Sequence, residues 1–238
     1  MCVCSLRAWG EQVMPPYIIF RGTGIQVDPD ERVELDSLGL GWYFQENAWA
    51  DGEYSKVWLR HFIKVLADNN LGRQHLMYII YTIMDTHDAH TDMYNECTRT
   101  PNTHRYLDDL SAQKIESFTN IALEAGILPF PIPPGLTDLL QPVDNHVGAR
   151  TKAIIAVLYK VEVEVNFQEW RGYQSNGSLS AGMRRRHMAR WLALAWEWLK
   201  ANPYIIHQSF VHTVLVKLDG THELVYRGLE NYEVPLHT

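Results

Sequence analysis

Only three cysteines occur in 238 residues, and no Cys-x-x-Cys pair is among them. That scarcity excludes a disulfide framework and argues for a reducing compartment. No uninterrupted apolar run is long enough to span a bilayer. The opening residues, MCVCSLRAWGEQ, lack the apolar core of a secretory leader. Positive charge is in deficit: 21 Lys and Arg stand against 28 Asp and Glu, a net charge of -7. This balance counts against nucleic-acid binding by bulk charge, and does not exclude a local basic face or an acidic metal site. Internal repeats and low-complexity segments are absent. What is plentiful is core material: 46% of residues are hydrophobic, including eight Trp and twelve Tyr. Such a chain can bury a sizeable core, and disordered chains lack these aromatics.

The pattern predicts alternating β and α elements. Val3–Ala8 alternates and ends at Gly10, and Tyr17–Phe20 is an apolar run closed by Gly22 and Gly24. These two read as paired antiparallel strands. Asp28 to Gly41 is polar and reads as a loop. Asp51 is a plausible N-cap for a helix whose Tyr54, Val57, Trp58, Phe62 and Val65 recur at helical spacing and point inward. Leu76–Met84 is nearly all apolar, as expected of a strand buried on both faces. Ser111–Ala125 reads as a helix with Ser111 as cap and Gly126 as stop. Ile127–Ile132 reads as a further buried strand. A long helix is expected from about Val143 past Leu158, and another from Leu179 to Lys200. The tail, Phe210–Leu218, Asp219-Gly220 and Leu224–Tyr226, reads as a β-hairpin. This order implies an α/β domain built on a central sheet.

Two places carry chemistry. Met84-Asp85-Thr86-His87-Asp88-Ala89-His90 follows the buried strand at Leu76–Met84. Gln141-Pro142-Val143-Asp144 precedes the long helix. A carboxylate at a buried strand's end is held by the strand and opened by the loop. One at a helix N-terminus is favoured as the anion by the dipole. Brought together, Asp85 and Asp144 could hold Mg2+ or Mn2+, which prefer oxygen ligands. Taken singly and from spacing alone, each Asp reads better as a turn or cap residue. A zinc site built on His87 and His90 lacks further ligands at suitable spacing.

The ordered segments MPPYIIFRGTG, MDTHDAH and ILPFPIPPGLTDLLQPVDNHVGARTK resemble the pogo/Tigger/centromere-protein-B branch of DDE-superfamily endonucleases. The match of Pro134, Thr137, Gln141, Pro142, Asp144 and Lys152 is its most specific part. The resemblance implies an α/β, ribonuclease-H-like mixed sheet flanked by helices over residues 1–165. A C-terminal helix and β-hairpin extension would occupy 166–238. It implies that Asp85 and Asp144 are the second and third metal acids, using Mg2+ or Mn2+ to cut phosphodiesters. It also implies DNA as partner and a nuclear location, with no membrane; a homo-oligomer is an open alternative. His87 and His90 would lie at the site's edge. Arg150 and Lys152 would neutralise a DNA strand. For Arg184, Arg185 and Arg186, phosphate contact and a solvated basic helix start both stand.

Three departures qualify this expectation. The family's first metal acid lies on a strand upstream of Val3, so the resemblance implies an N-terminally truncated domain with impaired cleavage. Thr86 replaces a customary Gly, and Met93–Leu110 reads as an inserted loop. The alternative is a catalytically silent, domesticated module that binds DNA or protein.

Overall fold

The computed structural model describes residues 2–3, 6, 15–25, 27–48, 51–68, 116–125, 141–171 and 179–213. They form strand β1 (Cys2–Val3), strand β2 (Tyr17–Arg21), helix α1 (Pro29–Ser37), strand β3 (Gly41–Gln45) and helix α2 (Gly52–Asp68). Helix α3 (Glu116–Glu124) follows. A π-helical turn (Val143–Val147) runs into α4 (Gly148–Val165), and then come α5 (Phe167–Arg171), α6 (Ala181–Ala201) and α7 (Pro203–His212).

The strands order as β1-β2-β3. β1 pairs antiparallel with β2, Val3 opposite Tyr17, as the sequence predicts. β2 then pairs in parallel with β3, from Tyr17 opposite Gly41 to Arg21 opposite Gln45. A parallel neighbour needs a crossover, and α1 supplies it. Residues 28–41, expected as loop, thus hold a helix and lead into a strand. Asp28 caps α1, its Oδ1 accepting from the Glu31 backbone N–H at 2.7 Å, and Pro29 fills the first helical position.

The central strand β2 is buried on both faces with a period of two. Ile19 joins Tyr54, Trp58, Leu59 and Phe62 of α2 and Phe118 and Ala122 of α3. Ile18 and Phe20 join Leu35 of α1, Ile155 of α4 and Ala189, Trp191, Leu192 and Ala195 of α6. The described residues therefore make an α/β arrangement, with α2 and α3 on one face of the sheet and α1, α4 and α6 on the other. Helix α2 behaves as expected: Asp51 Oδ1 accepts from the Tyr54 N–H at 2.8 Å, and Trp58 stacks on Phe62 with ring centroids 5.4 Å apart. Burying a side chain such as Phe62 contributes about 1.5–3 kcal/mol. Val57, expected inward, is exposed, and Val65 is partly buried.

At the C-terminal end, Ser180 caps α6 through the Met183 N–H. Trp191 and Trp196 are core residues, while Trp198 is partly exposed. Pro203 starts α7, and Phe210 is fully buried within it. The expected strand from Phe210 is therefore corrected: Phe210–His212 is helical, because Ile205, Ile206 and Phe210 repeat at helical spacing against the π-turn. The rest of the expected hairpin lies outside the described residues, as do the strands expected at Leu76–Met84 and Ile127–Ile132. No helix among the described residues is long and apolar enough to cross a membrane.

Candidate functional site

Asp144 sits in the π-helical turn that opens the long helical run ending at Val165. The turn is anchored on both sides of it. Val143 and Val147 are buried against Leu6, Trp196, Leu199, Ile205, Ile206 and Phe210. Gln141 is buried as well. The Gly148 N–H donates to the Val143 carbonyl, the wide-turn bond of a π-helix. Thr151 Oγ1 donates to the Val147 carbonyl at 2.8 Å, closing the next turn. π-turns recur at functional sites in helices. The expected helix start near Val143 is borne out; its π-helical form was not legible in sequence. The first two turns of α4 carry Arg150 and Lys152, both exposed. The His146 ring lies 4.5 Å from that of His212, centroid to centroid, joining the turn to the end of α7.

Asp85, His87 and His90 lie outside the described residues, and so does the side chain of Asp144. Among the described residues, no three His, Cys, Asp or Glu side chains gather closely enough to hold a metal ion.

The basic triplet has partners inside the fold. Arg185 forms a two-pronged pair with Glu31 of α1, Nε to Oε1 at 2.5 Å and an Nη to Oε2 at 2.7 Å. Arg186 donates to Asp28 Oδ1 at 2.9 Å, and Arg190 Nε lies 2.5 Å from Glu34 Oε1. Arg184 donates to the Leu179 carbonyl at 3.4 Å. One face of α6 is thus charge-matched to the carboxylates of α1. The backbone N–H of Glu31 and then the Arg186 charge hold the Asp28 carboxyl below the usual range. Gly182 permits this approach: a Cβ there would stand 2.8 Å from Glu31 Oε2. The carboxylate partners were missed in sequence because residues 28–41 read as loop. The signal was present as Asp28-Pro29-Asp30-Glu31, a cap, a first-turn proline and two first-turn acids.

Residues 1–105 match the family model described as DDE superfamily endonuclease. The match covers less than half of the chain. It takes in β1, β2, α1, β3, α2 and the Asp85–His90 segment, and it stops before Asp144. It supports the superfamily and a transposase-derived nuclease ancestry for this part of the chain. No curated protein and no solved structure matches.

Proposed function

We propose that the chain is a DDE endonuclease domain of the pogo/Tigger/centromere-protein-B branch, with a ribonuclease-H-like fold, that acts on DNA in the nucleus. The superfamily match over residues 1–105 carries this reading. The antiparallel β1–β2 pair continued by a parallel strand is compatible with a mixed sheet. Asp85 and Asp144 are the metal acids in this reading. Their donor set, carboxylate oxygens alone, fits Mg2+ or Mn2+. Bound there, such an ion supplies Lewis-acid polarisation of a phosphodiester. The anchored turn at Val143–Val147 fixes the backbone of Asp144. The helix beginning there favours its anionic form. His87 and His90 stand at the rim, beside Asp85 in sequence. Arg150 and Lys152 hold the backbone of the incoming strand. Arg184 to Arg186 stand further off in this reading, Arg185 and Arg186 with their charges already opposed by Glu31 and Asp28.

The test is a plasmid-nicking assay with Mg2+ or Mn2+, run beside Asp85→Ala and Asp144→Ala. Cutting should fall in both variants by more than the roughly tenfold to hundredfold that outer-shell partners of a metal contribute. Undiminished cutting by Asp144→Ala refutes the assignment of that acid. Salt-sensitive DNA binding with no metal-dependent cutting would instead select the silent binding module.

A further inference from the structure

Helix α4 turns Thr151 and Ile155 inward, and no element among the described residues packs on its opposite side. On that open side lie Arg150, Ala153, Val157, Val161 and Glu164, all exposed. Val157 is 63% exposed and Val161 53%, high values for β-branched apolar side chains in mid-helix. Counted from Val157, these five stand at steps of seven and four residues on each side. At 100° a residue they share a band roughly 80° wide and about 21 Å long. The band is apolar in its middle, basic at one end and acidic at the other.

That pattern is self-complementary in one orientation only. Two such helices side by side and parallel would set Arg150 against Arg150 and Glu164 against Glu164. Run antiparallel about a two-fold at Val157, each Arg150 meets the other copy's Glu164. Each Ala153 then meets the other copy's Val161, a small residue opposite a larger one. Val157 meets its own counterpart on the axis. From this we infer that the occupant of the α4 face is a second copy of this chain, in an isologous antiparallel helix pair. The Lys160 contact does not compete strongly for Glu164, being a 3.9 Å pair between two well-exposed side chains.

The helix pair alone buries less than the roughly 1,200 Å2 of a standard interface. The dimer is therefore weak and concentration-dependent. It withdraws Arg150 from any nucleic-acid contact and leaves Lys152 available, since Lys152 projects roughly 140° from Val157 round the helix. The inference rests on α4 and not on the nuclease reading, so either can fail without the other.

Sedimentation equilibrium of the full chain at micromolar to submillimolar concentration is the direct experiment. The weight-average mass should climb toward twice the monomer mass at low salt and less so at high salt. Val157→Glu, which sets two carboxylates face to face on the axis, should leave only monomer. Arg150→Glu and Glu164→Arg should each weaken association by about tenfold or more, since each sets like charges opposite one another. The double swap Arg150→Glu with Glu164→Arg should restore it. All of these substitutions are at exposed positions, and circular dichroism checks that the fold survives. A chain that stays monomeric throughout overturns the inference. So does a dimer indifferent to Val157→Glu, or single swaps that the double swap fails to rescue. Slow amide exchange along this face in a strictly monomeric protein would assign the stripe to another segment of the same chain, and that too overturns it.

Discussion

Removing Arg185 should damage this protein more than any other single change to the charged residues described. The Glu31 side chain is 0% exposed, and both of its oxygens are taken by one guanidinium. Arg185 itself is 16% exposed and lies over the Phe44 ring at 5.4 Å. Breaking a buried pair by deleting one partner costs about 3–5 kcal/mol, because the survivor is an uncompensated buried charge. Arg185→Ala strands a carboxylate that is fully buried in the intact pair, so it should cost at least as much as the reverse deletion, about 3–5 kcal/mol. Glu31→Ala strands a guanidinium that keeps a ring face and some solvent, so about 3 kcal/mol is expected. The apolar pair Glu31→Leu with Arg185→Met should recover most of the loss, since neither residue is then a buried charge. Urea unfolding of these proteins, and of the double variant Glu31→Ala with Arg185→Ala, gives each midpoint and, from the alanine cycle, a coupling energy. Total stabilities run to about 5–15 kcal/mol, so these differences are large enough to measure. If both single variants lose under about 1 kcal/mol and the double is their sum, the pair is an ordinary surface ion pair and the reasoning fails.

Asp28→Asn keeps a competent cap but removes the charge beside Arg186. The native carboxyl's depressed pKa stabilises the fold above the unfolded value of about 3.9, and that contribution is lost as pH falls through the folded value. The stability gap between the native protein and the Asp28→Asn variant, measured in urea, should therefore be present at neutral pH and close in acid; a gap independent of pH contradicts it. Gly41→Ala should cost about 1–3 kcal/mol, because the new Cβ would overlap the Tyr17 ring across the parallel strand pair. In a Tyr17→Ala background the same change should cost much less in thermal unfolding, and an equal cost in both backgrounds would place the strain elsewhere.

Legibility in the sequence followed whether burial had the right period. Helix α2 was readable because Tyr54, Trp58 and Phe62 repeat at helical spacing behind a capping Asp51. The β1–β2 pair was readable from its apolar runs and closing glycines. Helix α1 was not, because its pattern is inverted: Glu31 is buried while Val33 is 69% exposed. A buried acid is acceptable there only because Arg185 comes from 154 positions away, and no local window contains that partner. β3 was hidden for a related reason, since all five of its residues are half-buried and show no alternation. At Phe210, β-prone residues suggested a strand, but packing of Ile206 and Phe210 against the π-turn outweighed that weak preference. For the candidate site, the helix carrying Asp144 was foreseen and its anchoring turn was not. The partnership of Asp144 with Asp85 lies outside the described residues.

The ion pairs also change what the basic triplet can contribute to nucleic-acid binding. In sequence, Arg184, Arg185 and Arg186 look like three charges offered to phosphate. In the fold, the charges of Arg185 and Arg186 are already opposed by Glu31 and Asp28. Turning either toward DNA would release a carboxylate close to the same surface, so the local net charge gained is near zero. For Arg185 it would also cost the desolvated Glu31 its partner. Reversing these charges would therefore weaken any DNA binding by loosening α1 from α6, whether or not the triplet touches DNA. Loss of binding in such a variant says nothing about contact unless stability is shown to be intact. Lys152 gives a cleaner readout, because it is exposed on α4 and belongs neither to the clamp between α1 and α6 nor to the inferred helix pair. The opening turns of α4 therefore offer a DNA strand more unopposed positive charge than the Arg-rich start of α6.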